Sequence, residues 1–238
     1  MTIESNNITC SDLYEDYIEK HKTDFSTKLL HSLNVLNECL HRYDPSQITV
    51  GFNGGKDCTL VLNLYSYVLK RRYSSSSSPP KLRALFIRNH QQFEVMDSFI
   101  HDCVQKYNID LITIDGRFRE ALSKLKVIDP QIQCVIMGSR KTDPNSSTLN
   151  DFSPTDSDWP SYMRCNPILH YTYKDVWTFL RLFQISYCSI YDEGFTSLGN
   201  KDVTVKNIKL KYQTENGVEQ YKPAYMLDDE VSERDGRI

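Results

Sequence analysis

The chain has 238 residues, with 28 basic against 31 acidic side chains and a formal net charge of −3. That near balance excludes a strongly electrostatic nucleic-acid or membrane binder, and no apolar run approaches the roughly 20 residues of a membrane span. At roughly 150 residues per domain the length fits one enlarged domain or two small ones.

Seven cysteines form an odd count with no C-x-x-C pair, which reads as reduced, structural thiols. The start, MTIESNNITCSDLYED, is polar and acidic and fits neither a secretory nor a mitochondrial presequence, so the expected compartment is the cytoplasm. From Ser11 to Tyr43 the spacing predicts one leading helix, with Leu29, Leu33, Leu36 and Leu40 as its apolar stripe and Asp44-Pro45 as its stop. Ile48 to Phe52 then makes a β-branched and aromatic strand. Asn53, Gly54 and Gly55 force a tight turn, and Lys56 opens a helix carrying Leu60, Leu64, Tyr67 and Val68 to about Arg72. A helix start behind glycines offers unpaired N–H groups and a positive dipole end to an anion. The spacing matches neither a Walker A loop nor a dinucleotide-binding fingerprint. Ser74 to Ser78 with Pro79 and Pro80 reads as a solvated surface insert.

Leu82–Ile87, Asp110–Ile114 and Gln133–Gly138 are further strands, each apolar throughout. They alternate with helices placed by Phe93, Met96, Ile100 and Val104, and by Phe118, Leu122 and Leu125 between Gly116 and Val127. The expected fold is α/β: a parallel twisted sheet with helices on both faces, plus a loop-rich C-terminal part. Ligands bind beyond the carboxyl ends of such strands. That rule singles out Asn53–Asp57, Arg88–His90, Asp115–Gly116 and Ser139–Asp143.

In GSRKTDP (138–144), Arg140 and Lys141 bring positive charge to this rim and Asp143 a carboxylate for a metal or polar group; a charged surface turn is the alternative. Residues 145–165 form a long irregular segment whose Trp159 and Tyr162 argue against plain disorder. Trp159 either walls a ligand or pins the loop, and Arg164 serves either a phosphate or an ion pair. His170, just ahead of the Thr172–Asp175 capping box, reads as a structural histidine. Val176, Phe179, Leu180 and Phe183 make the next helix a core helix. Cys188–Asn200 is a turn-rich loop with Tyr191 and Phe195. In the final PAYMLDDEVSERDGRI, Met226 and Leu227 are the expected anchors before a charged tail.

Taken together, NGGKDC (53–58), GSRKTDP, SPTDSDWPSYMR (153–164), YDEGFTSLG (191–199) and ERDGR (233–237) resemble the eukaryotic FAD synthases (FMN adenylyltransferases) of the PAPS-reductase-like group. The similarity runs from about Asn34 to the C-terminus. Asn53 stands where the pyrophosphatase loop usually begins with Ser, and Cys58 where it usually ends with Ser. The resemblance implies an adenine nucleotide alpha-hydrolase-like, modified Rossmann fold and the reaction of FMN with MgATP to give FAD and pyrophosphate. It implies that residues 1–144 form a nucleotide-binding core and 145–238 the flavin-site loops, helix and tail, packed as one continuous domain. It further implies that Asn53, Gly54 and Gly55 cradle phosphates beside Lys56, while Asp57 and Asp143 hold reacting groups or Mg²⁺. Asp156, Trp159 and Arg237 would shape the flavin pocket, and Arg140, Arg164 and Arg234 would offset phosphate charge. Asn53, Asp57, Asp143 and Arg234 are then the catalytic set.

The expected partners are small molecules only, acting on a monomer. Some family members carry an additional N-terminal domain, for which this chain has no room. Arg88 and Asn89 stand where many such enzymes place an acid, so adenosine recognition would rest on backbone groups. A PAPS reductase-like enzyme would need a reactive cysteine near the C-terminus, and none follows Cys188. A flavin- or nucleotide-binding module without catalysis stays open as the alternative.

Overall fold

A computed structural model describes residues 12–88 and 91–238. Ser11, Asn89 and His90 lie outside the described residues. The single leading helix expected from the sequence is two: α1 (Leu13–Lys20) and α2 (Asp24–Arg42). Thr23 breaks them by turning extended, and it exchanges bonds with Ser26 in a capping box closed by serine rather than by Glu or Gln. The stripe of α2 behaves as read, with Leu29, Leu33, Leu36 and Leu40 all buried. Each such leucine contributes about 1.5–3 kcal/mol relative to exposure.

Next come β1 (Ile48–Gly51), α3 (Lys56–Arg72), β2 (Leu82–Arg88), α4 (Glu94–Tyr107), β3 (Ile109–Asp115), α5 (Phe118–Ile128) and β4 (Cys134–Ile136). The segment 145–165, expected to be irregular, contains β5 (Phe152–Pro154) and β6 (Met163–Cys165). Both join the main sheet, whose order is β3-β2-β1-β4-β6-β5. All its pairs are parallel except the last, where β5 runs antiparallel to β6. Three residues carry too short an alternation to be read as a strand, and Pro154 is tolerated because β5 is an edge. Then follow α6 (Tyr173–Leu182) and a separate hairpin of β7 (Lys211–Gln213) and β8 (Glu219–Tyr221).

The alternating side chains of the sheet feed two cores of unequal size. Val50, Ala84, Phe86, Cys134 and Ile136 join the larger one with residues from α2, α3, α4 and α6. Leu85, Ile114 and Val135 join the smaller with Ala121, Leu122 and Leu125 of α5 and with Tyr162. The second face is therefore thinly covered.

The chain leaves β1 toward β2 and β3 on one side, then returns to β4 on the other. The carboxyl ends of β1 and β4 thus flank a topological switch point, where such sheets open a crevice. Leu227 anchors the C-terminal segment as expected, but Met226 is half exposed, because the short turn at Ala224–Met226 aims Ala224 and the following Leu227 inward and leaves Met226 outside. The six described cysteines are free and buried. Among the described residues no helix is long and apolar enough to cross a membrane.

Candidate active site

The turn after β1 is held by the two residues that replace serine in it. Asn53 Oδ1 accepts from the Gly55 N–H at 3.1 Å and from the Cys58 thiol at 3.0 Å. Burial pushes that thiol up to about 12, which keeps it neutral and able to donate. Gly54 has φ +78, the left-handed region that glycine enters without strain, and faces Ile100 rather than the crevice. Across the crevice, a Cβ on Gly138 would lie 2.9 Å from the Cys58 nitrogen, so only glycine lets the end of β4 pass this close to the start of α3. Tyr191, fully buried, accepts the Lys56 N–H on its hydroxyl at 3.0 Å.

Below this turn lies a network of three basic and three acidic side chains. Lys56 Nζ is 2.9 Å from Asp57 Oδ2 and 2.6 Å from Glu233 Oε1. Arg140 places Nε 3.0 Å from Asp57 Oδ1, and its Nη2 bonds Asp143 at 3.1 Å and Glu233 at 2.7 Å. Arg234 Nη2 reaches the same Asp143 oxygen at 3.1 Å. Lys56 and Arg140 are almost wholly buried, so their charges are tolerable only because carboxylates meet them. Burial pulls the Arg140 guanidinium down, but Asp57, Glu233 and Asp143 outweigh it and hold the group above its ordinary value. The same contest runs in reverse at Asp57. There burial pushes the carboxyl up, and Lys56 and Arg140 hold it below the usual range.

The network floors a cleft of about 750 Å³ at the switch point. Asn53, Gly55, Lys56, Asp57, Asp143 and Arg234 line it together, and Arg237, expected with Trp159 and Asp156 at the flavin pocket, lines this cleft instead. Arg140 does not reach the rim; it sits beneath, spent on carboxylates, because three acids converge on its single guanidinium. Lys141 is exposed beyond it. Arg237 makes no ion pair with any described residue, and its guanidinium packs where a Cβ on Gly199 would be only 2.3 Å from Cζ. Burial and the neighbouring Arg234 both lower its pKa, which marks positive charge in excess at this wall.

A second cavity of about 180 Å³ adjoins the first over the thinly covered sheet face. The two share Phe118, Met137, Ser139 and Pro144 in their walls. Trp159, Asp156 and Arg164 line only the second one. The Phe118 and Trp159 rings lie 6.0 Å apart, an aromatic pair at its mouth. Arg164 donates to the Pro154 carbonyl at 2.7 Å and meets Asp156 at 3.3 Å, which is the ion-pair alternative left open by the sequence.

The sequence reading missed two participants. Glu233 reads in the sequence only as part of a charged tail, yet it ties Lys56 and Arg140 together from 177 and 93 residues away. Phe118, which the sequence marks only as an apolar residue of its helix, stands 44% exposed and walls both cavities. No local signal marks Glu233, since its partners are fixed only by the fold.

Asp57 and Asp143, assigned to Mg²⁺ from the resemblance, are not free to form a resident cage. Asp57 meets Lys56 on one oxygen and Arg140 on the other, and Asp143 meets Arg140 and Arg234 through one oxygen and the Arg140 N–H through the other. Three acids already balance three bases, so the donor set does not fit a divalent ion held by protein alone.

Comparisons with known proteins agree with this architecture. The phosphoadenosine phosphosulfate reductase domain model matches residues 47–206. A Caenorhabditis briggsae protein named probable FAD synthase is 39% identical over 223 residues, which are 93% of this chain and 42% of that protein. The chain thus spans less than half the length of its nematode relatives. A Schizosaccharomyces pombe protein of the same name is 35% identical over 88% of this chain and 78% of its own length. The crystal structure of Candida glabrata FMN adenylyltransferase in complex with FMN and the ATP analogue AMPCPP superposes with a TM-score of 0.87, at 26% identity, over 96% of this chain and 95% of that one. The matched domain covers most of the sheet and the cleft built on it, and the fission-yeast match extends through nearly the whole chain. On both counts the chain belongs to the phosphoadenosine phosphosulfate reductase domain family and stands with its FAD synthases.

Proposed function

We propose that this protein is an FMN adenylyltransferase, transferring the AMP moiety of ATP to FMN with release of pyrophosphate. The observation that carries the reading is the pairing of a cationic cleft at the switch point with an aromatic-walled cavity sharing one wall with it. A triphosphate suits the first and a flat isoalloxazine the second. The names of the relatives and the ligands of the Candida glabrata enzyme support it.

In this reading the FMN phosphate oxygen attacks the α-phosphorus, the bond to the β-phosphate oxygen breaks, and pyrophosphate leaves. A phosphate needs no base to activate it, so the protein works by positioning two anions and offsetting their charge. Asn53 and Gly55 shape the phosphate turn. Arg234, partly committed to Asp143, and Arg237, which no described carboxylate meets, face the cleft as its cations. Asp57 and Asp143 act through the network that holds Lys56, Arg140 and Arg234. Mg²⁺ enters with ATP as the MgATP substrate. The core up to residue 144 supplies the phosphate turn, and residues 145–238 supply much of the flavin side together with the tail arginines that close the phosphate cleft. Near-balanced charge supports small-molecule partners over nucleic acid, and a cytoplasmic monomer belongs to the same proposal.

Incubation of purified protein with ATP, Mg²⁺ and FMN tests the reading, with flavins resolved by chromatography. FAD and pyrophosphate should accumulate in equal amounts. Unchanged FMN would overturn it, and a flavin-binding titration on the same sample would then separate a non-catalytic module from an unrelated activity.

A further inference from the structure

Away from the cleft, three chemistry-bearing side chains from three separate segments converge. His31 lies on α2, Asp151 just before β5, and His170 just before α6. One ligand atom of each falls within 4.8 Å of the other two. His31 Nε2 is already 3.1 Å from Asp151 Oδ1, and the two imidazole rings stand 5.3 Å apart, edge to face.

We propose that His31, Asp151 and His170 form a binding site for Zn²⁺ or another late first-row divalent ion, separate from the ATP and FMN cavities. Two imidazoles and one carboxylate are the donor set such ions select, whereas Mg²⁺ and Ca²⁺ select oxygen alone. A tetrahedral ion with bonds of about 2.0–2.1 Å holds its ligands roughly 3.3 Å apart. The His31–Asp151 pair meets that spacing, and His170 reaches it by a side-chain turn that its exposure permits. With three protein ligands, a tetrahedral ion would take a water as its fourth.

Convergence on a flexible surface would mean little, but these backbones are tied to one another within a few residues of every ligand. Ser32, next to His31, donates its hydroxyl to the Pro167 carbonyl at 2.8 Å. Asn166 donates its N–H to the Asp151 carbonyl at 2.8 Å and its amide to the Asn150 carbonyl at 2.8 Å. Leu169, next to His170, accepts the Lys141 N–H at 2.8 Å. Asn166 itself is fully buried. The cost of assembling the ligands has therefore been met by folding, and only rotamers remain to be set. A bound ion would clip α2 to the segment that carries β5 and β6.

The experiment uses the full chain, stripped with a chelator and titrated with ZnCl₂ by calorimetry. One equivalent should bind, with a rise in Tm. His31→Ala and His170→Ala should each weaken binding by at least the roughly 10- to 100-fold that loss of a supporting contact alone costs at metal sites. His101→Ala, on α4 and outside the cluster, should leave it unchanged. Circular dichroism establishes that each variant is folded. Co²⁺ loading of the wild type gives a second readout, because cysteine ligation would show thiolate charge-transfer bands that a nitrogen and oxygen site lacks. Absence of one-equivalent binding, wild-type affinity in both histidine variants, or thiolate bands would each overturn the site.

Discussion

Asp57 meets the Lys56 ammonium on one carboxylate oxygen and the Arg140 guanidinium on the other. Its position after two glycines at a helix start is legible, because turn chemistry and periodicity are local. Its pairing with Arg140 is not, since that guanidinium reaches it only through the fold. Removing its charge leaves Lys56 and Arg140 buried beside a deficit of one carboxylate. Breaking such a pair costs about 3–5 kcal/mol; Glu233 and Asp143 remain, so Asp57→Asn should fall near the lower end in urea unfolding and should abolish turnover. Acid titration gives an independent reading. Although burial opposes it, Lys56 and Arg140 hold the folded carboxyl below its ordinary value of 3.8. Its stabilisation is thus complete above that value and is lost as pH falls through the lower folded one. Wild-type Tm should decline on acidification below about pH 4, and Asp57→Asn should show a shallower decline. Equal slopes would remove Asp57 from the network's energetics.

At the scale of elements, legibility followed the length of the pattern. β1, its turn and α3 came out in the right order because eleven contiguous residues change from strand to turn to helix. β5 and β6 escaped because each has three residues and is defined by its neighbour rather than by its own alternation. The break between α1 and α2 escaped because its box uses Thr23 and Ser26, neither of which marks a helix stop strongly. Gly138 belongs to this scale, since its value lies in how two elements approach. A Cβ there would press on the Cys58 nitrogen at 2.9 Å and the Asp57 carbonyl carbon at 3.0 Å, both backbone atoms that cannot rotate away. Gly138→Ala should therefore pry β4 from α3, costing roughly 1–3 kcal/mol and most of the activity. A variant with wild-type denaturation midpoint and turnover would show that the two elements have slack which the geometry denies.

For the molecule as a whole, the decisive arrangement is two cavities that share a wall but draw on different parts of the chain. The phosphate loop and the tail arginines meet in the larger one, and Trp159 stands only in the smaller. If ATP takes the first and FMN the second, the two substrates can be weakened separately. Trp159→Ala removes an aromatic wall, and ring stacking of about 0.5–1.5 kcal/mol together with lost apolar contact amounts to roughly tenfold in affinity. FMN affinity, read from flavin fluorescence, should drop by that factor while ATP affinity holds. Arg234→Ala should do the opposite, because its guanidinium lines the larger cleft and not the smaller. Phe118→Ala should weaken both, as its ring belongs to both walls. Equal losses of ATP and FMN in the Trp159 variant would mean that the cavities respond as one, and the assignment of substrates to them would fall.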